Sequence, residues 1–113
     1  MAPTTLVGQK TTTSPYGRRE NKEGYPLKMA EMLGSLEGTA FSARVAVNNV
    51  KNILKAKKGN EECFMVQLED LGFGFVEVLS ACPTNWHMSP LDANKRVETE
   101  MMEYFPLVFI KTN

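Results

Sequence analysis

The sequence predicts an α/β protein, a mostly parallel sheet with flanking helices. Three observations predict it. Apolar residues alternate between helical spacing and strand-like runs in the order helix, strand, helix, strand, helix, strand. The segment "FGFVEVLS" is apolar almost without interruption, as a strand buried on both faces is. Each pair of strand candidates is separated by a helical stretch, which suits right-handed crossovers between parallel strands.

The first 25 residues, with "PTTLVGQKTTT" and then "SPYGRRENKEGYP", have no apolar period and read as loop or disorder. Pro26 suits a first helical position, and Leu27, Ala30 and Leu33 recur at helical spacing, which predicts a short helix ending between Gly34 and Gly38. Residues 39–47, "TAFSARVAV", are β-branched and small apolar and read as a strand. Val50, Ile53, Leu54, Cys63, Val66 and Leu68 keep helical register, interrupted by Gly59 and Asn60, so one kinked helix or two short ones are expected. Residues 73–80 form the second strand. Beyond the loop around Cys82, Ser89 is a cap, Pro90 stands in the first turn and Asp92 lies near the positive end of the helix dipole, predicting a helix to about Tyr104. "PLVFIK" is the last strand.

A chain of 113 residues with 42% hydrophobic content has room for one modest core. Thirteen basic and thirteen acidic residues cancel, which leaves no basic excess for a run of phosphates. Nucleic acid and an anionic membrane are therefore poor partners. The N-terminal stretch lacks a signal peptide's apolar core, and "YFPLVFI" falls far short of the roughly 20 apolar residues that span a bilayer, so a soluble, cytoplasmic protein is expected. Two cysteines, Cys63 and Cys82, cannot build a disulfide framework and form no Cys-x-x-Cys pair.

In open α/β sheets ligands gather beyond the carboxyl ends of strands, and "LSACPTNWHMSP" follows such an end. Read from spacing, Cys82 is either a small buried thiol, a nucleophile with His87 as its base, or a metal ligand. Cys-Pro closes bacterial ferredoxin cluster motifs, where proline removes an N–H donor beside the sulfur. An iron–sulfur cluster takes about four protein ligands, however, and Cys63 falls on an apolar helix face, so one copy of this chain cannot complete such a site. Trp86 reads as a packing or interface residue and His87 as a loop residue. Lys51, Lys55, Lys57 and Lys58 form a basic stripe, read as a solvated helix face or as a contact for an acidic partner such as a ferredoxin. "VGQKTTTSPYGR" lacks phosphate-loop spacing.

Taken together, "MAPTT", "TTTSPYGR", "RVAVNNVKNILKAKK", "FGFVEVLSACPTNW" and "MMEYFPL" resemble, in order and over nearly the whole chain, the C-terminal half of the β subunit of 2-oxoacid:ferredoxin oxidoreductases of the 2-oxoglutarate or branched-chain type. The resemblance implies the C-terminal part of a thiamin-diphosphate-binding fold. Residues 1–25 would be a polar segment severed from the cofactor-binding loop, and residues 26–113 the α/β part. It further implies that Cys82 is a ligand of a four-iron four-sulfur cluster. Thr4 and Thr5 follow the position of the family's diphosphate loop and are the nearest candidates for the cofactor rim. The remaining cluster cysteines and the magnesium and diphosphate ligands would lie in the missing N-terminal half. His87 stands where the family usually has glycine, and "KKGNEECF" replaces a more continuously helical stretch.

The complete enzyme that the resemblance implies uses thiamin diphosphate, Mg2+ and the cluster to decarboxylate a 2-oxoacid oxidatively. Coenzyme A takes the acyl group, ferredoxin takes the electrons, and α and γ subunits are partners. The isolated chain is expected to bind none of these cofactors and to be inactive. The competing reading is a non-enzymatic module that docks on partner subunits through an exposed sheet edge.

Overall fold

The computed structural model describes residues 3–111. Met1 and Ala2, part of the "MAPTT" stretch, lie outside them, as do Thr112 and Asn113. The elements follow the expected order: α1 (Met29–Gly34), β1 (Thr39–Ala46), α2 (Val50–Leu68), β2 (Phe73–Leu79), the short α3 (Pro83–Trp86), α4 (Pro90–Arg96), a π-helical turn (Val97–Met101), α5 (Met102–Tyr104) and β3 (Val108–Lys111).

The sheet is mixed, in the order β2-β1-β3. Strand β1 pairs in parallel with β2, placing Arg44 beside Glu77 and Ala46 beside Leu79. It pairs antiparallel with β3, Phe41 opposite Lys111 and Arg44 opposite Val108. The mostly parallel sheet thus gives way to one parallel and one antiparallel pairing. The cause lies in the last helical stretch. Val97, Met101 and Phe105 pack on Ala46 and Leu79, at the carboxyl ends of β1 and β2. The chain is therefore back at the end it left, and the following strand runs in the opposite sense.

Strand β1 is buried along its whole length, and its small side chains let helices approach both faces. Ser42 Oγ donates to Ala30 O of α1 at 2.7 Å. On the other face α2 lays Ala56, Gly59 and Val66 against the sheet. Gly59 does not break α2, because it faces Val45 and Phe109, whose side chains would lie 3.4 Å from an added Cβ. Close packing outweighs a propensity cost of about 1 kcal/mol. The apolar register expected for α2 is corrected as well: Val50, Ile53, Leu54 and Leu68 are exposed, and the buried line runs through Asn52, Ala56, Gly59 and Val66. Asn49 caps α2, its Oδ1 accepting from Asn52 N–H at 2.8 Å.

Helix α1 starts at Met29, not at Pro26. Leu27 N–H donates instead to Pro3 O at 2.9 Å, and this bridge to the N-terminal segment holds residue 27 outside the helix. Ser89 caps α4 as expected, its Oγ accepting from Asp92 N–H at 3.2 Å.

Candidate functional site

The N-terminal segment is irregular, with two isolated bridges, Val7 to Arg18 and Thr11 to Ser14. Arg18 organises it from within. It is buried, its Nε donates to Thr5 O at 2.6 Å, and its Nη1 reaches Glu23 O at 3.1 Å and Gly24 O at 3.3 Å. A guanidinium with five donors can gather several carbonyls that have no ladder partner. The segment thereby holds a shape despite its lack of apolar period. Gln9 is also buried, and its Oε1 accepts from Leu6 N–H at 2.9 Å.

On the facing side, the chain leaves β2 at Leu79 and turns through Ser80 and Ala81 to Cys82, the residue before α3, with Pro83 in the first helical position. Trp86 N–H donates to Cys82 O at 2.9 Å. The four-residue helix then closes as a Schellman motif. Met88 N–H reaches Pro83 O at 3.0 Å, His87 N–H reaches Thr84 O at 3.4 Å, and His87 takes the left-handed conformation with φ 58° and ψ 46°. Glycine normally occupies this position, so His87 has kept the backbone that glycine would supply. Thr12 joins the two halves: its N–H donates to Asn85 O at 3.1 Å, and its Oγ1 lies 3.4 Å from His87 Nε2.

Between these halves is a cavity of about 220 Å³ lined by Thr4, Thr5, Gln9, Glu77, Ser80, Cys82, Asn85, Trp86 and Met101, among others. The three residues singled out from the sequence, Thr4, Thr5 and Cys82, share this one space. Cys82 is exposed, Thr4 half-buried and Thr5 buried. Trp86 packs inward on the Ala46, Leu79, Val97, Met101 and Phe105 cluster, and the Arg96 guanidinium lies 5.9 Å from its ring centre.

The other thiol is elsewhere. Cys63 Sγ sits where a Cβ on Gly74 would be 2.7 Å away, near the start of β2, whereas Cys82 follows the end of that strand. Burial pushes the Cys63 thiol up from its ordinary pKa. Among the described residues no three His, Cys, Asp or Glu side chains gather as a metal site. No hydrogen bond joins Cys82 to His87 there, which leaves the thiol without a bonded base. Cys82 is thus a free, exposed thiol facing the cavity it shares with Thr4 and Thr5.

The sequence reading missed Arg44 and Glu77. Arg44 is wholly buried, with Nη1 donating to Glu31 Oε2 at 2.9 Å and to Pro106 O at 3.0 Å, and Nε donating to Glu77 Oε2 at 3.2 Å. Burial alone would lower its pKa, but the Glu31 hydrogen bond and the charges of Glu77 and Glu31 outweigh that and raise it. Glu77 is both Arg44's partner and a wall of the cavity, so this network steadies that wall. A lone arginine inside an apolar strand and a lone glutamate inside the next one were the available signal.

A larger space of about 570 Å³ lies elsewhere, between α2 and β3 over Phe41, Val45 and Phe109, and brings no nucleophile or metal ligand set together. Lys55 and Lys58 of the basic stripe stand on its rim. Among the described residues no helix is long and apolar enough to cross a membrane.

No protein-family model matches the chain, and no solved structure matches it. Among curated proteins it is 42% identical over 107 residues to the ketoisovalerate oxidoreductase subunit VorA of Methanothermobacter marburgensis, an alignment covering 95% of this chain and 22% of that relative. It is 34% identical over 98 residues to the 2-oxoglutarate synthase subunit KorB of Archaeoglobus fulgidus, covering 87% of this chain and 32% of the relative. It is 30% identical over 112 residues to the pyruvate synthase subunit PorB of Pyrococcus furiosus, covering 91% and 30%. The chain spans between about a fifth and a third of the length of these curated relatives. It therefore belongs with the VorA, KorB and PorB subunits of the 2-oxoacid:ferredoxin oxidoreductases, as a homologue of one part of such a subunit.

Proposed function

We propose that this chain contributes the Cys82 loop and the Thr4 and Thr5 rim to the cofactor region of a 2-oxoacid:ferredoxin oxidoreductase, which converts a 2-oxoacid to an acyl-CoA and delivers electrons to ferredoxin. The observation that carries this reading is the exposed Cys82 thiol on the same cavity as Thr4 and Thr5, in a chain whose relatives are subunits of such oxidoreductases. When bound, thiamin diphosphate with Mg2+ supplies the electron sink for decarboxylation, and a four-iron four-sulfur cluster supplies the one-electron path outward.

The chain's own residues do the holding. Cys82 provides one thiolate to an iron. Trp86 and Met101 exclude water from the inner wall of the cavity. Thr4 and Thr5 offer hydroxyl donors toward the edge of a diphosphate. With no base bonded to it, Cys82 acts as a ligand and does not attack substrate. About three further ligands must come from polypeptide beyond this sequence, together with the α and γ subunits.

Anaerobic reconstitution with iron and sulfide tests this. The chain alone is expected to show neither cluster absorbance nor 2-oxoacid-dependent dye reduction. Co-expressed with polypeptides that supply the other cysteines, it is expected to show both, and Cys82→Ser to lower the iron content and abolish dye reduction. A Cys82→Ser complex with full iron and full activity sinks the ligand role; activity from the chain alone sinks the shared site. The docking-module reading draws on the free edge of β2, where Phe73 and Val78 are exposed. It is favoured if co-expressed subunits bind the chain and neither cluster nor activity ever forms.

A further inference from the structure

Helix α2 has two apolar faces, and the sheet covers only one. Opposite the buried line of Asn52, Ala56, Gly59 and Val66, the outward side carries Val50 (73% exposed), Leu54 (62%), Phe64 (70%) and Leu68 (81%). Lys57 and Glu61 stand between these pairs, both exposed. Residues 50, 54, 57, 61, 64 and 68 alternate steps of four and three, which places them on one narrow stripe of the kind that packs helix on helix. A helix face that meets only water has no use for four large apolar side chains at that spacing.

The order of residues in the stripe says what covers it. The stripe is symmetric about its midpoint at position 59. Val50 and Leu68 are equidistant from that point, as are Leu54 and Phe64, and as are Lys57 and Glu61. A second copy of the same helix, laid antiparallel, sets Val50 on Leu68, Leu54 on Phe64 and Lys57 on Glu61 of the second copy, each contact made twice about a two-fold axis. Apolar meets apolar and opposite charges meet in every layer. A parallel pairing in register would instead set Lys57 on Lys57 and Glu61 on Glu61. Among the described residues neither Lys57 nor Glu61 belongs to the ion pairs of Arg19 with Glu23, Arg44 with Glu31 and Glu77, or Arg96 with Glu100, so both are available to a partner.

We propose that α2 is a self-complementary docking face through which two copies of this chain associate antiparallel. One helix pair of this length sits at the low end of specific interfaces, under roughly 1,200 Å² in total, so a weak dimer is expected.

Charge exchange on the full chain tests the pairing, with sedimentation measured over a concentration series and circular dichroism to check folding. The unaltered chain is expected to dimerise. Lys57→Glu and Glu61→Lys should each shift the dissociation constant up by tenfold or more, since each homodimer now opposes like charges. An equimolar mixture of the two variants should recover the unaltered affinity as a heterodimer, as should the double variant with itself. A chain that stays monomeric to the highest soluble concentration overturns the proposal. So does a dimer that ignores both substitutions, because it must then use another surface.

Discussion

His87 holds left-handed backbone at the end of α3, a conformation that costs a residue with a Cβ about 1–2 kcal/mol relative to glycine. Replacing it tests whether the loop is strained or steadied there. His87→Gly is expected to stabilise the folded chain by about 1 kcal/mol, raising Tm by roughly 4 °C in a thermal melt. A fall in Tm would mean instead that the ring's approach to Thr12 outweighs the backbone cost. At this scale the sequence was partly legible. The pairing of a strand end with Cys-Pro singled out the loop that carries Cys82, but spacing could not tell a buried thiol from an exposed one. Exposure of Cys82 depends on what the N-terminal segment covers, and that is decided by Arg18 gathering carbonyls from Thr5 and Glu23.

Helix α2 shows how an element's neighbours override its local preferences. Gly59 and Asn60 signal an interruption, yet the helix continues over 19 residues because the glycine admits Val45 and Phe109. A larger side chain has nowhere to go on that face. Gly59→Leu is expected to lower stability by about 2 kcal/mol through overpacking, read as a lower urea midpoint with unchanged slope. An unchanged midpoint would show that α2 can slide away from β3. The same helix misled the apolar reading, since its large hydrophobics face outward and its buried line is made of small residues. Periodicity detects a helix but not which of two apolar faces meets the sheet.

Across the whole molecule, one buried guanidinium ties together α1, both paired strands and the approach to β3. Arg44 binds Glu31, Glu77 and Pro106 O and stacks 5.0 Å from the Phe105 ring centre. Breaking such a group from one side leaves an uncompensated charge inside the fold. The Arg44 hydrogen bond holds the Glu31 carboxyl below its usual pKa. A depressed folded-state pKa means the unfolded chain takes up the proton first as pH falls. The stabilisation is therefore present at neutral pH and is lost as pH drops below about 4, through the folded value. Urea midpoints measured down the acid range should fall for the unaltered chain. They should fall less for Glu31→Gln, which starts lower at neutral pH. Parallel acid profiles for the two would remove Glu31 from the account.

What the sequence determined by itself was the order of helices and strands, the cap at Ser89, the loop that carries Cys82 and the family resemblance. Each is written in local spacing or in a run of specific residues. Tertiary structure decided the sense of β3, the buried face of α2 and the meeting of Thr4, Thr5 and Cys82 around one cavity. Those outcomes depend on where distant groups pack: Phe105 at the carboxyl ends of the strands, Val45 and Phe109 beside Gly59, and Arg18 beneath Thr5. Contacts between residues far apart in the chain leave no periodic trace along it.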